Sequence, residues 1–205
     1  MTAPPVSPPL PRALRLDDLT RGGPGSVVVA YVPLILTASA AGLLNRPWYA
    51  TAGLLAAGYL LWTLTEYWVH RLLFHFTPRT PRAAALHRFL HGRHHEDPRD
   101  PDRLVVPPLV GLPIVALLWL PAALTLPLAA WAPVGAGWLA GYVGYDLLHD
   151  HLHRRRPRTA LGRWLRRHHL RHHYADDGTA FGVSAPYWDV VFGTRPPAHP
   201  RPPAR

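Results

Sequence analysis

Residues His91–Leu124 read HGRHHEDPRDPDRLVVPPLVGLPIVALLWLPAAL. Three imidazoles within five residues stand just ahead of an apolar run long enough to cross a bilayer. The run from Leu104 to Leu124 contains no ionisable residue. Its length approaches the ~20 residues that span a ~30 Å hydrocarbon core. Three other stretches are similarly long and apolar, with carboxylates only near the ends of the last two (Glu66 and Asp146): Ser26–Leu44, Trp48–Val69 and Leu126–Leu148. Soluble core helices rarely run so long without charge, so the pattern predicts an all-α integral membrane protein with four transmembrane helices. Prolines inside the runs (Pro33, Pro107, Pro108, Pro113, Pro121, Pro127 and Pro133) are compatible with spans whose neighbours satisfy the freed carbonyls. A re-entrant pair over 104–148 is the alternative for the second half.

The chain has 205 residues and no cysteine, so disulfides, thiolate metal sites and thiol catalysis are excluded. Its 22 basic residues are all arginine, and the formal charge is +10. Only Arg46 lies in the tight Asn45–Pro47 turn, and the link between the third and fourth runs has none. The others fall in the N-terminal tail, in the 70–103 loop and after residue 149. With four spans these regions share one side, which the positive-inside rule makes cytoplasmic. Topology and anionic lipid thus account for the charge, and a nucleic-acid partner is not expected. Residues 1–25 read as a proline- and glycine-rich tail, with a short surface helix around Leu10–Leu19 and no signal peptide. Residues 195–205 read as a second proline-rich tail, leaving 26–194 as one domain with a cytoplasmic cap over 70–103 and 149–194.

Fourteen histidines need an explanation. His70 and His75 follow the second run, then fifteen residues intervene before His91, His94 and His95. His149 and His153 follow the fourth run, and fifteen residues again intervene before His169, His172 and His173. Residues at i, i+3 and i+4 share a helix face, so each H-x-x-H-H triplet can aim three rings into one volume. His149 and His153 can do the same. His70 and His75, five apart, do not share a face on an ideal helix; either the helix ends between them or they approach a site from two sides. Ten neutral imidazoles exceed the four to six ligands of one metal, so two metals are predicted, held by two half-sites. Imidazole suits zinc, iron, copper and nickel alike. Glu66, Asp146 and Asp150 lie three or four residues before His70, His149 and His153, where each can accept the second ring N–H of its ligand. His87, His151, His168 and His199 read as ordinary histidines, although His87 and His168 also sit four residues before a triplet member.

These residues resemble the membrane-bound fatty acid hydroxylase and sterol desaturase superfamily, and especially its fatty acid 2-hydroxylase branch. The resemblance runs from Trp62 to Thr194. It is carried by W-x-x-x-E-Y-x-x-H-R-x-L-F-H (Trp62–His75), H-G-x-H-H-x-x-P-x-D-x-x-R-L-V-x-P-P (His91–Pro108) and Y-D-x-x-H-x-x-x-H (Tyr145–His153). H-x-x-H-H-Y, F-G-V-S and W-D-x-V-F-G-T complete it between His169 and Thr194. The resemblance implies a dinuclear iron centre on the ten histidines, replaceable by zinc on purification, that uses O2 to hydroxylate C2 of a fatty acyl chain, free or in a sphingolipid-like lipid. Tyr145 and Asp146 match a pair beside the metals and are implied in substrate positioning. The N-terminal tail is too short for a cytochrome b5 domain. A separate cytochrome b5-like or ferredoxin-like donor is therefore expected, with Arg154–Arg158 and Arg163–Arg171 as a docking face or a contact with lipid headgroups. The same chemistry on a sterol, carotenoid or alkane is the nearest alternative. A metal transporter would instead carry ligands near the bilayer midplane, and a non-catalytic metal-stapled scaffold is a third reading. Composition favours a bacterial plasma membrane; a eukaryotic member would sit in the endoplasmic reticulum.

Overall fold

A computed structural model describes residues 21–197, and every regular element among them is helical. The expected Leu10–Leu19 surface helix lies outside the described residues, as does His199. Four long helices dominate: α1 (Pro24–Asn45), α2 (Trp48–Trp68), α5 (Pro108–Thr125) and α6 (Leu128–Arg154). Shorter helices build the cap: α3 (Pro81–His87), α4 (Arg93–Glu96), α7 (Ala160–Tyr174) and α8 (Tyr187–Val191). Two stretches, Val69–Phe74 and Arg88–Gly92, wind as wider π-helix, and Pro101–Arg103 forms one 3-10 turn.

Proline marks where several helices begin. Pro24, Pro81 and Pro108 occupy first-turn positions, where the missing N–H costs no helical bond. Pro33, Pro113, Pro121 and Pro133 lie inside helices. Thr37 and Thr125 donate their hydroxyls to the carbonyls of Pro33 and Pro121 at 2.8 and 2.7 Å. The third long helix starts at Pro108, since Leu104–Pro107 is non-helical; its 18 residues extend about 27 Å. The fourth continues past Leu148, so His149 and His153 stand on the same rigid rod as its apolar part.

α6 is the central post, with α1 and α2 packed along it. Glycines set the closeness of the α2–α6 contact. A Cβ on Gly58 would lie 2.0 Å from the carbonyl oxygen of Val134, and one on Gly137 would lie 2.0 Å from that of Leu55. Small residues at such points let two backbones approach, as in membrane helix pairs. Above them Trp62 meets Trp138 edge-on at 4.8 Å, and Tyr31 of α1 meets Tyr142 of α6 at 5.0 Å.

The outer faces remain apolar. Val29, Leu36 and Leu44 on α1, Leu60 on α2, and Leu109, Leu117 and Leu124 on α5 are all exposed. Two stretches, Pro24–Asn45 and Pro101–Thr125, are long and apolar enough to cross a membrane. α2 and α6 have spanning length, with 21 and 27 residues. Glycine, threonine and aromatic packing positions dilute their hydropathy, and polar residues close the last turns of α6.

Replacing Gly137 by leucine should force α2 and α6 apart. Overpacking of this kind costs about 1–3 kcal/mol, and more where backbone blocks relaxation. The expected outcome is a melting temperature several degrees lower in detergent, whereas Gly53→Leu, where a Cβ would meet nothing within 4 Å, should leave melting nearly unchanged.

Candidate metal centre

The ten patterned histidines converge at the cap ends of α2 and α6. They form two groups of five, and within each group one ring nitrogen per residue lies within 4.8 Å of all the others. One group holds His70, His75, His91, His95 and His172; the other holds His94, His149, His153, His169 and His173. The triplets therefore do not each serve one volume, as helix periodicity alone suggested. The outer members of each triplet stay with their own half of the chain, while the middle member crosses to the other group. His94 joins the second-half histidines and His172 joins the first-half ones.

The π-helical stretches supply the register. Bonding from i to i+5 widens the helix, which brings His75 round toward His70; their ring centroids are 5.0 Å apart. The helix then ends at His75, whose φ and ψ are −112° and 27°. A second π stretch precedes His94 and carries His91 into the first group.

Backbone carbonyls fix the ring orientations. His70 Nδ1 donates to the Phe181 carbonyl at 2.7 Å, His172 Nδ1 to that of Thr179 at 2.7 Å, and His149 Nδ1 to that of Leu104 at 2.8 Å. This corrects the expectation that Glu66 takes the His70 proton and Asp146 that of His149. Glu66 accepts from the Ser184 N–H at 2.8 Å and from the Ser184 hydroxyl. Asp146 accepts from the Val106 N–H at 3.3 Å, and Asp150 pairs with Arg154 at 3.2 Å. A ring whose Nε2 faces inward turns its N–H outward, toward the loops that pack over the helix ends, so loop carbonyls reach it first. Glu66 and Asp146 instead bind those loops to α2 and α6.

The donor set fits two metal ions. Five Nε2–Nε2 separations between grouped rings fall between 2.7 and 3.1 Å. Metal–nitrogen distances of about 2.1 Å place neighbouring ligands about 3.0 Å apart when the bonds meet at right angles. His70 Nε2 and His149 Nε2 are buried with no hydrogen-bond partner, and the cost of such atoms is met when they bind a cation. Burial, then the neighbouring imidazoles, holds His91, His94, His169 and His172 well below the ordinary imidazole range. Burial likewise takes His75 and His149 to about 4, His95 to about 3 and His153 to about 2. All ten are thus neutral near pH 7, the form that binds metal.

The remaining polar residues sit around this cage. Tyr145 stacks on His149 with a centroid distance of 5.8 Å and an interplanar angle of 9°. His87 lies beside Gly92 and Phe76, outside both groups. His168 donates to Asp189 at 3.0 Å and is also outside them. Asp189, Thr194 and Tyr67 form a buried network that sequence reasoning missed. Its signal was the acid within an otherwise apolar W-D-V-V-F.

A cavity of about 340 Å³ lies against the cage. Apolar side chains of α2, the π-helical stretch after it, α5 and α6, among them Trp62, Val69, Ile114, Val115 and Trp138, form its walls. His91, His94, His149, Tyr145 and Asp146 also line it. One arrangement therefore joins an oily channel to a nitrogen-rich metal site.

Residues 55–194 match the model of the fatty acid hydroxylase family, and the chain belongs to that family. It is 40% identical over 151 residues to the fatty acid 2-hydroxylase of Homo sapiens, covering 72% of this chain and 41% of that protein. It is 41% identical over 171 residues to the dihydroceramide fatty acyl 2-hydroxylase FAH2 of Arabidopsis thaliana, covering 82% of this chain and 69% of that one. The match thus spans less than half the length of the human relative. The solved structure of full-length scs7p, in which only the hydroxylase domain is visible, superposes with a TM-score of 0.84 at 37% identity, covering 93% of this chain and 74% of that one. With its two spanning-length apolar stretches, the protein is a membrane member of the family.

Acid should destabilise the metal-free protein in a defined window. Unfolded histidine titrates near 6.5, while the buried rings, lowered to about 4 at His75 and His149, stay neutral. The unfolded chain then binds more protons as pH falls, so stability is full above pH 6.5 and is lost toward pH 4. Thermal melts of the chelator-treated protein should be flat from pH 7 to 8 and drop steadily below 6.5; a melting temperature independent of pH across 4–7 would contradict the burial of neutral rings.

Proposed function

We propose that the protein is an iron- and O2-dependent lipid hydroxylase that places a hydroxyl group on C2 of a fatty acyl chain, free or in a sphingolipid-like lipid. The observation that carries this reading is the apolar cavity ending on His91, His94 and His149. His70, His75, His91, His95 and His172 hold one iron, and His94, His149, His153, His169 and His173 hold the other. Bound iron supplies the activation of O2 needed to oxidise an unactivated C–H bond. The balance is one C–H bond, one O2, two electrons and two protons, giving the alcohol and one water. A separate cytochrome b5-like or ferredoxin-like carrier provides the electrons.

The chain's own residues bind, orient and exclude. Val69, Ile114, Val115 and Trp138 line the path of the acyl tail and keep water from it. Tyr145 and Asp146 lie where the carbon to be oxidised meets the cage, and they position the acyl head. The Tyr145 ring, stacked on His149, has its place set by a metal ligand.

The membrane arrangement has four spans, with the cap and the start of α1 on the cytoplasmic side. The contact of Gly22 with the cap loop supports this: its N–H donates to the Asp102 carbonyl at 2.8 Å, placing the start of α1 at the cap end of the bundle. The arginines of the cap then face anionic lipid or the electron donor. A bacterial plasma membrane is the proposed location.

A bacterial host expressing the protein should accumulate 2-hydroxy acyl chains detectable by mass spectrometry of hydrolysed lipids. His94→Ala and His172→Ala should each reduce that product by more than the about 10- to 100-fold typical of losing only the partner that orients a metal ligand. If acyl chains stay unmodified while a sterol, carotenoid or alkane gains oxygen, the substrate class is wrong. Retained product in both variants would remove the ligand assignment.

Filling the cavity should change chain-length preference. Val115→Trp adds bulk to its wall and should shift the product distribution toward shorter acyl chains, with total iron unchanged. An unaltered distribution would show that the acyl tail runs elsewhere.

A further inference from the structure

Asp189 has no exposed surface, yet it is far from idle. Its Oδ1 accepts from the Phe181 N–H at 2.8 Å and from the Thr194 hydroxyl at 2.7 Å. Its Oδ2 accepts from the Gly182 N–H at 3.1 Å and from His168 Nε2 at 3.0 Å. Two further bonds close the ring. The Ala180 N–H donates to the Thr194 carbonyl at 2.9 Å, and the Thr194 N–H donates to the Asp189 carbonyl at 2.8 Å. Tyr67, near the end of α2, bonds the Thr194 hydroxyl at 2.9 Å.

The segment held in this way is the one whose carbonyls orient two grouped histidines. Thr179 and Phe181 accept from His172 Nδ1 and His70 Nδ1. Between them Ala180 has φ of 59°, the left-handed region that an alanine enters only when its surroundings over-determine it. His70 and His172 belong to the same group of five. The other group takes its orientation elsewhere, with His149 Nδ1 held by the Leu104 carbonyl.

We propose that Asp189 is a positioning residue for one of the two metal sites: by fixing Thr179–Gly182 it orients His70 and His172, and so secures the metal shared with His75, His91 and His95. The inference rests on reading the two groups as metal sites. His168 is then a supporting donor to Asp189, with no direct part in either site. Loss of a partner that orients a metal-bound histidine typically weakens metal retention by about 10- to 100-fold. That loss should fall on one site of two.

The test uses the full chain in detergent, loaded with zinc, passed through gel filtration and assayed for metal per chain and for release to a competing chelator. Wild type should hold two zinc ions. Asp189→Asn, which sets an amide against four donors, should hold about one, with unchanged helical circular dichroism. Adding His172→Ala to Asp189→Asn should remove no more metal, whereas adding His169→Ala should leave almost none. Two ions with wild-type release in Asp189→Asn would overturn the proposal, as would further loss on adding His172→Ala. Should Asp189→Asn fail to fold, His168→Gln decides: release of one ion accelerated about tenfold supports the positioning role, and wild-type release of both overturns it. A wild-type protein that holds fewer than two ions would instead sink the dinuclear reading, and the proposal with it.

Discussion

An imidazole can turn only one nitrogen toward a metal, and the scaffold must satisfy the other. In a buried cage this second bond is as demanding as the first, because an unpaired ring N–H in a dry site costs about 1–3 kcal/mol. For three of the rings the protein answers with main-chain carbonyls from two loops laid over the helix ends, whereas the Nδ1 atoms of His94, His169 and His173 are buried without a hydrogen-bond partner. Leu104 serves His149, while Thr179 and Phe181 serve His172 and His70. The loops are in turn fastened to α2 and α6 by Glu66 and Asp146 through Ser184 and Val106. The order of dependence therefore runs from long helices to loops, from loops to rings, and from rings to the nitrogen cage.

Each loop also serves the opposite half of the chain. The loop before α5 orients a histidine of α6, and the loop before α8 orients one at the end of α2. His94 and His172 repeat that exchange within the cage itself. Neither half can complete a five-nitrogen group alone, so the cage forms only when both α2 and α6 are seated. The Gly58 and Gly137 contacts that seat them lie deep in the bundle, remote from the chemistry, yet they set the spacing of the two rods that deliver ligands.

Much of this was legible in the sequence, and the legible parts share a cause. Uninterrupted apolar length reveals two stretches long enough to cross a membrane, Pro24–Asn45 and Pro101–Thr125, and α-helical periodicity groups His149 with His153 and the members of each triplet. The partition of the triplets was hidden, because the faces of one short helix do not reveal which neighbour each face meets. His70 and His75 puzzled the α-helical reading because their spacing belongs to a π turn, for which the residues Val69–Phe74 carry no distinctive pattern. The carboxylates were misplaced for a related reason. A carbonyl is present at every residue, so no letter distinguishes the one at Phe181 from its neighbours, whereas Glu66 attracts notice by being acidic. Asp189 escaped because its partners, Phe181, Gly182, Thr194 and His168, come together only through a folded loop.

The cage opens in two directions that share no lining residue. Beside the oily channel there is a polar recess formed by His75, His87, Arg88, Gly92, His95, Glu96 and Asp177. Its walls include two histidines of the first group and none of the second. The two openings differ in chemistry: the first is walled mainly by apolar side chains, which suit a greasy ligand, and the second by ionisable ones, which suit a water-borne species.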